Sequence, residues 1–429
     1  MLNRVFCCAM VLAVALCGAS SARATWSIVM IDRVSNEVAI GSATCLTDFD
    51  LKKRLPVVLV DVGAAAAQAM IDTTGNNRQR IWDEMLAGTP TPQILALLEA
   101  HDHRHQLRQY GIVDTRGWSV TFSGSRNGEY ANGLTGQVGT LFYSIQGNVI
   151  TGQPVLYAAE AALLTTPGGV PEKLMAAMEA AREMGGDGRC SCDPGDPTGC
   201  GSPPPEFEKS AHVGFMIVAR RGDVDGVCNR TDGCANGDYY LCLNVKGQGV
   251  DDPDPVIQLR GLFDTWRAGL AGVPDAVESR LTLTPGRLPN DGVSTATLRI
   301  DVLDWQGLPA TGISDVSVEH DPAGSAGSSA IGALNDLGGG VYEVELTAGT
   351  VAGRDRIAVR VVDAIGERFL IPSALLKIQD QRADLNGDGL VDFTDLTILL
   401  AAYAATPAGD IDGDDDTDLS DLAALLAAY

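Results

Sequence analysis

The sequence predicts an α+β protein with three successive regions, and three observations support this fold class. Between residues 25 and 270, strands alternate with pairs of helices, an order typical of layered sheets and helices rather than a doubly wound sheet. Residues 279–378 contain short alternating strands separated by turns, which predicts a β-sandwich. Residues 383–429 repeat an aspartate-rich loop before a short apolar helix, which predicts a small all-α unit.

Composition limits the class of protein. A chain of 429 residues with 45% hydrophobic and 5% aromatic residues fits several globular domains. The formal net charge is −24, and residues 383–429 hold eleven aspartates and no lysine or arginine. This balance disfavours a nucleic-acid partner and favours a cation-binding tail. No apolar run after residue 24 is long enough for a transmembrane span, so none is expected.

Residues 1–24 have the pattern of a cleaved signal peptide. Arg4 gives a positive start, residues 5–16 are mostly apolar, and Ala-Arg-Ala at 22–24 matches the usual cleavage site. We therefore expect a secreted, periplasmic or cell-surface protein. Lipidation of Cys17 is an alternative, although leucine precedes it where a small residue is usual.

Cleavage after Ala24 would leave Thr25 with a free α-amine beside its own hydroxyl. An α-amine has an ordinary pKa of about 7.7 to 8.0, so a fraction accepts protons at neutral pH. Such an amine can activate the hydroxyl as a nucleophile without a histidine. Thr25 is therefore a candidate catalytic residue, although any residue can follow a signal peptide.

The first region, residues 25–270, begins with a predicted β-hairpin, in which residues 25–31 and 37–43 pair across a turn. Thr91 follows Pro90 and is expected to cap a helix. Further strands are predicted at 57–62, 110–114, 119–123, 142–146 and 212–219, and helices at 78–87, 91–100, 154–164, 171–184 and 255–270.

Seven short segments occur in order in this region: TWSIV (25–29), GSA (41–43), DVGAAAAQ (61–68), GIVD (111–114), QGNVITG (146–152), GGDGR (185–189) and VDDPDPV (250–256). This ordered set resembles the domain-of-unknown-function 1028 family, placed with the N-terminal nucleophile hydrolases. The resemblance implies a four-layer αββα fold whose first strand begins at the nucleophile, here Thr25. Cytosolic relatives carry the same threonine directly after the initiator Met. Two departures are Ala67, where threonine is usual, and a cysteine-rich insertion at 190–205.

An acyl-transfer site also needs oxyanion donors and groups that bind substrate. Asn148 is a candidate catalytic donor, with a turn residue as the alternative, and Gln146 is a candidate substrate-binding residue. Asp187 and Arg189 flank a glycine and are further catalytic and substrate-binding candidates, or else a solvated ion pair.

Two groups of potential metal ligands have simpler explanations. His101, His103 and His105 could bind zinc in an extended segment, but they follow a helix and are expected to form its polar end. Six cysteines lie between residues 190 and 242 without C-x-x-C pairs, so we predict disulfides that tie two surface loops together. Cys45 is then the odd cysteine, predicted to be a buried free thiol.

Alternating segments at 281–285, 297–302, 316–318, 341–346 and 357–362 define the sandwich region. It resembles a bacterial immunoglobulin-like module of the kind found in invasins, for which a spacer or adhesion role is expected.

The tail has two oxygen-rich loops that suit Ca²⁺, which prefers about six to eight oxygen ligands. Asp415 replaces the turn glycine in the second loop, which predicts a weaker site. Both loops carry aspartate at position 12, where an EF-hand has glutamate. The predicted ligands are Asp384, Asn386, Asp388, the Leu390 carbonyl, Asp392 and Asp395 in the first loop, and Asp410, Asp412, Asp414, Asp416, Asp418 and Asp421 in the second.

Two such loop–helix repeats resemble a type I dockerin, which implies a small EF-hand-like calcium module and a cohesin-type scaffold partner. The function predicted from these features is a secreted amidohydrolase with an N-terminal threonine nucleophile, acting on a small-molecule or peptide amide. The alternative is a non-catalytic binding or scaffold component of an extracellular polysaccharide-handling assembly.

Overall fold

The computed structural model describes residues 25–321, 324–325 and 328–429. The predicted signal peptide, residues 1–24, lies outside the described residues. Among the residues that are described, no helix combines the length and the hydropathy that a bilayer crossing requires.

The first region is a stack of two antiparallel sheets. The strands of the two sheets are β1 (Thr25–Asp32), β2 (Val38–Thr44), β3 (Pro56–Leu59), β4 (Gly63–Ala69), β5 (Arg108–Asp114), β6 (Ser119–Ser123), β7 (Ala131–Val138), β8 (Leu141–Asn148), β9 (Val213–Ala219) and β10 (Leu241–Val245). The first sheet has the strand order β10-β9-β2-β1-β8-β7, and the second has the order β3-β4-β5-β6.

Helices cover the outer face of each sheet. They are α1 (Asn76–Leu86), α2 (Thr91–His101), α3 (Pro154–Thr165), α4 (Val170–Glu183), the short α5 (Gly188–Ser191) and α6 (Pro255–Gly269). Ile28 and Met30 of β1 pack against α3, α4 and α6, whereas Val29 and Ile31 pack against the second sheet. The far side of the second sheet packs against α1 and α2. The layers therefore follow the order αββα, and β1 is buried on both faces because side chains alternate along a strand.

The predicted helices and the opening hairpin are confirmed, with three corrections. The strand expected at 57–62 ends at Leu59, because Asp61 adopts a positive φ of 59° in a turn before β4. Thr91 is not a cap; it is the first helical residue, and its buried hydroxyl has no hydrogen-bond partner among the described residues. Strands β7 and β10 were not predicted.

The second region is a two-sheet β-sandwich, as predicted. Its strands are β11 (Arg280–Thr284), β12 (Arg287–Pro289), β13 (Thr295–Asp301), β14 (Asp315–His320), β15 (Ala330–Gly338), β16 (Val341–Thr347), β17 (Gly353–Val362), β18 (Glu367–Phe369) and β19 (Ala374–Gln379). One sheet has the order β11-β13-β16-β15 and the other has the order β12-β19-β17-β14, with β18 beside β17. Side chains such as Leu298, Val344 and Val359 form the core between the two sheets.

The tail contains two loop–helix units, with helices α7 (Phe393–Ala402) and α8 (Leu419–Ala428). Leu399 and Leu425, at equivalent positions of the two helices, are buried in one small core. Gln379 attaches this unit to the sandwich, since its Nε2 donates to Val391 O at 3.1 Å and to Ala428 O at 3.2 Å.

Candidate functional site: the start of the first strand

Thr25 is the first residue of β1, in the middle of the first sheet. Its Cα partner on one side is Asn148, the last residue of β8. The Thr25 hydroxyl lies 3.3 Å from the Thr44 Oγ1 at the end of β2, and the Thr25 carbonyl accepts a hydrogen bond from Gln68 at 3.0 Å. Thr25 is 1% exposed in this chain, where a peptide bond still joins it to Ala24.

Asp187 and Arg189 lie next to this hydroxyl pair. Arg189 Nη2 is 2.8 Å from Asp187 Oδ2 and 3.5 Å from Thr44 Oγ1. The Asp187 carboxylate is fully buried, caps α5, and accepts a hydrogen bond from the Cys45 amide at 2.7 Å. The alternative of a solvated ion pair does not describe this pair, because Asp187 is fully buried, the Arg189 side chain is only 16% exposed, and Arg189 lies 3.5 Å from the Thr44 hydroxyl.

A disulfide between Cys45 and Cys190 holds α5 against the end of β2. The prediction that Cys45 is a free thiol is wrong, and the free cysteine within the described ranges is instead the exposed Cys242. Two further disulfides among the described residues, Cys192–Cys200 and Cys228–Cys234, each close a turn within one surface loop, which confirms the prediction of disulfides in these loops.

Asn148 is fully buried, with its Nδ2 3.5 Å from Asn127 O. Because Asn148 and Thr25 are directly opposite in the antiparallel pair, their side chains lie on the same face of the sheet. Gln146 is placed differently: its Nε2 donates to Ser27 Oγ at 2.8 Å and its Oε1 accepts from Ser144 Oγ at 2.8 Å, inside the protein. That placement gives the substrate-binding prediction for Gln146 no support.

The sequence did not reveal a buried glutamine network between the two sheets. Gln68 Nε2 donates to Gln109 Oε1 at 2.7 Å, and Gln109 Nε2 donates to Gly147 O at 2.8 Å. The network fixes the ends of β1 and β8, which carry Thr25 and Asn148. Buried amides form this kind of network because each donor and acceptor needs a partner away from water.

The three histidines 101, 103 and 105 do not converge. His105 is buried and stacks on Phe122 with ring centroids 4.0 Å apart, and burial lowers the pKa of its imidazole. His101 is the last residue of α2 and is exposed, as is His103. The expected polar helix end is therefore formed by His101 and His103, whereas the expectation is wrong for the buried His105. The groups of close ligand atoms found among the described residues include none of the three.

A buried ion pair joins Asp102 and Arg108, in the same segment of the chain as these histidines. Arg108 Nε is 2.7 Å from Asp102 Oδ2, which also accepts from Asn77 Nδ2 at 2.7 Å. Burial alone would raise the pKa of Asp102, but the hydrogen bonds from Arg108 and Asn77 outweigh it and hold the pKa at about 2. Asp102 is therefore ionised and paired at neutral pH.

The two loops of the tail have matching hydrogen bonds. Asp384 Oδ2 accepts from the Gly389 amide at 2.7 Å, and Asp410 Oδ2 accepts from the Asp415 amide at 2.9 Å. Gly389 has a φ of 87° and Asp415 a φ of 74°, so the aspartate adopts the left-handed turn that glycine adopts in the first loop.

Carboxylates converge in the second loop. Oxygens of Asp410, Asp412 and Asp414 lie within 4.8 Å of one another, as do oxygens of Asp416, Asp418 and Asp421. The charge of Asp414 raises the pKa of Asp416, which shows that like charges oppose each other here. A hard divalent cation would relieve this repulsion, so the donor set fits calcium.

Fold and site thus define a mixed α/β region followed by a sheet-rich, immunoglobulin-like region. Residues 25–192 match a family described as a family of unknown function, DUF1028, and residues 275–368 match invasin domain 3. These matches confirm the resemblance to the DUF1028 family and to an invasin-type immunoglobulin-like module over these residues. The comparison with curated proteins gave no match.

Two solved structures are similar to parts of the chain. A DUF1028 protein of Silicibacter pomeroyi is 17% identical, with a TM-score of 0.41 over 56% of this chain and 85% of its own. The Yersinia pseudotuberculosis adhesin InvE is 20% identical, with a TM-score of 0.21 over 24% of this chain and 26% of its own. At these TM-scores the two similarities support no functional conclusion.

Proposed function

We propose that the first region is an exported amidohydrolase whose nucleophile is the hydroxyl of Thr25, activated by the α-amine that signal cleavage after Ala24 would free. The observation that carries the proposal is the position of this hydroxyl at the start of the central strand, 3.3 Å from Thr44 Oγ1 and beside Asn148. The buried Asp187–Arg189 pair supplies an ordered charge next to it.

The proposed reaction proceeds in two steps. The α-amine of Thr25 takes the hydroxyl proton as Oγ1 bonds to the amide carbonyl carbon, and the Asn148 amide donates to the resulting oxyanion. The C–N bond then breaks, and the proton passes to the leaving amine. Water attacks the Thr25 ester, which releases a carboxylic acid and restores the hydroxyl.

The test begins with the N-terminus of the exported protein, which should be Thr25. A hydroxyl-directed electrophile should then label Thr25 in the unsubstituted protein and in Thr25→Ser, which keeps a nucleophile, but not in Thr25→Ala. A mature chain that begins elsewhere, or equal labelling of Thr25→Ala, would refute the proposal.

For the tail, we propose that the two loops bind Ca²⁺ and that the unit is dockerin-like. The convergent carboxylates of the second loop and its hydrogen-bond match to the first support this proposal. The twelve ligand positions predicted from the sequence would hold two ions. When bound, Ca²⁺ supplies charge neutralisation that fixes each loop to its helix.

Chelation should reduce the helical signal of the tail in the full-length protein, and Ca²⁺ but not Mg²⁺ at the same concentration should restore it. Asp415→Gly should tighten binding to the second loop by up to about tenfold, because glycine adopts this φ without a Cβ penalty. Circular dichroism measures the helical signal, and calorimetry of a calcium titration measures the affinity. Unchanged helicity after chelation would refute the calcium assignment.

The alternative function, a non-catalytic scaffold component, is favoured by a repeated apolar surface on the tail. Phe393 and Leu419 begin the two helices and are each 67% exposed, and Leu400 and Leu426 are also exposed. Four large apolar side chains at equivalent positions suit a partner that buries them, such as a cohesin-type domain. Leu400→Asp with Leu426→Asp should abolish such binding in calorimetry while calcium affinity is kept; binding that persists would contradict this surface.

A further inference from the structure

A cavity of about 660 Å³ opens beside the start of β1. It is lined by Asn148, whose Cα partner across the sheet is Thr25. Neighbouring strands lie about 4.8 Å apart, so the cavity begins one strand away from Thr25. Its volume is that of a pocket for a small molecule.

The described lining of the cavity has a net positive charge, because three arginines lie there against two aspartates. Arg104 and Arg126 line it, both are exposed, and within the described ranges neither side chain has an ion pair or hydrogen bond. The third arginine, Arg108, is already paired with Asp102 at 2.7 Å. The remaining carboxylate, Asp72, accepts hydrogen bonds from backbone amides of its own turn. Two guanidinium groups are thus available to a ligand.

Asn127 adds a buried acceptor to the same cavity. It is 3% exposed, and its Nδ2 donates to Arg108 O at 2.7 Å. Its Oδ1 is buried without a hydrogen-bond partner in the part of the chain that the structure describes. Buried polar atoms are nearly always paired, so the unpaired acceptor of a residue that lines a cavity would be satisfied by a ligand group that donates to it.

We propose that this cavity binds a small amide that carries a carboxylate, of the N-acyl amino acid type. The carboxylate pairs with Arg104 and Arg126, and the amide N–H donates to Asn127 Oδ1. The amide carbonyl then lies toward Thr25 and Asn148. This assignment deepens the proposed function and rests on it for turnover, but the binding itself does not require a working nucleophile.

The test uses calorimetry on the full-length exported protein carrying Thr25→Ala, so that the ligand is not consumed. The probes are N-acetyl-, N-benzoyl- and N-octanoylglycine, each compared with its neutral carboxamide and with the ester analogue that lacks the N–H. At least one carboxylate should bind tenfold or more tightly than both analogues. Equal affinity across all three sets would overturn the proposal.

Arg104→Gln with Arg126→Gln should remove the preference for the carboxylate, whereas Arg80→Gln, on α1 outside the cavity lining, should keep it. A preference that survives the double substitution would also overturn the assignment.

Turnover is measured separately with Thr25 present. Carboxylate-selective binding without release of glycine would keep the cavity assignment and contradict the amidohydrolase. Hydrolysis with no preference for the carboxylate would support the amidohydrolase and contradict the cavity assignment.

Discussion

Arg220 is expected to be the most important charged side chain for the stability of the junction between the first region and the sandwich. Its Nε lies 2.7 Å from Glu37 Oε1 and its Nη1 lies 2.9 Å from Asp275 Oδ2. The guanidinium also lies 3.5 Å from the centroid of the Tyr240 ring. The side chains of Arg220, Glu37 and Asp275 are 7%, 2% and 4% exposed. Arg220→Met would keep the length of the side chain and leave both carboxylates buried without their shared cation.

The pKa of Asp275 sets the scale of the effect. Burial raises the pKa of this carboxyl, but Arg220 and backbone amides outweigh it and bring the pKa to about 2, below the ordinary 3.8. That difference corresponds to roughly 2 kcal/mol of stability. Loss of the Glu37 partner adds to it, so Arg220→Met should cost about 3–5 kcal/mol, as is typical when one side of a buried ion pair is removed.

Urea unfolding followed by tryptophan fluorescence measures this cost, because Trp266 contacts Tyr240 with ring centroids 5.1 Å apart. The matched control is Arg221→Met, which removes a partly exposed cation 3.4 Å from the buried Asp321; because Ser373 still donates to Asp321, the cost should be at most about 1 kcal/mol. Since the folded pKa of Asp275 is depressed, its stabilisation is present above a pH of about 4 and is lost toward pH 2. A cost for Arg220→Met no larger than that for Arg221→Met would refute this reasoning.

Two further predictions concern the scaffold of the candidate site. Cys45→Ser should remove about 4–5 kcal/mol of stability, because its disulfide closes a loop of 145 residues, while Cys242→Ser should leave the melting temperature unchanged. Gly111→Ala should cost about 1–3 kcal/mol in urea unfolding, since the new Cβ would lie 1.9 Å from Gln146 Oε1; Gly261→Ala, which meets open space, should be neutral or slightly stabilising.

The sequence predicted elements whose local pattern is strong. Strand β6 was predicted with its exact bounds, and helix α2 to within one residue, because alternation and helical periodicity there are uninterrupted. Strand β7 was missed because ANGLTGQV contains two glycines and few β-branched residues. It forms because β8 offers a full set of backbone partners, and strand formation depends on such tertiary context more than on intrinsic preference.

Only part of the candidate site could be predicted from the sequence, because contacts between residues distant in the sequence depend on the fold. Thr25 stood out because a free terminal amine has chemistry of its own. Its neighbour Thr44 did not, since their contact depends on the pairing of β1 with β2. Arg126 and Asn127 lie in a glycine- and serine-rich segment typical of a turn, and only the fold places Asn127 beside Asn148. The Cys45–Cys190 bridge spans 145 residues, a separation that no local pattern reveals.

This disulfide gives the proposed function a second dependence on export. The Cys45 amide donates to Asp187, and the Cys45 thiol is bonded to Cys190 on the same short helix that presents Arg189. Disulfides of this kind persist in oxidising compartments and are rare in the cytosol. Under the proposed function, the compartment in which the signal peptide is removed is therefore also the one in which Asp187 and Arg189 are fixed beside Thr25. Nucleophile and surrounding charges would be completed together, so the precursor would be inactive for two independent chemical reasons.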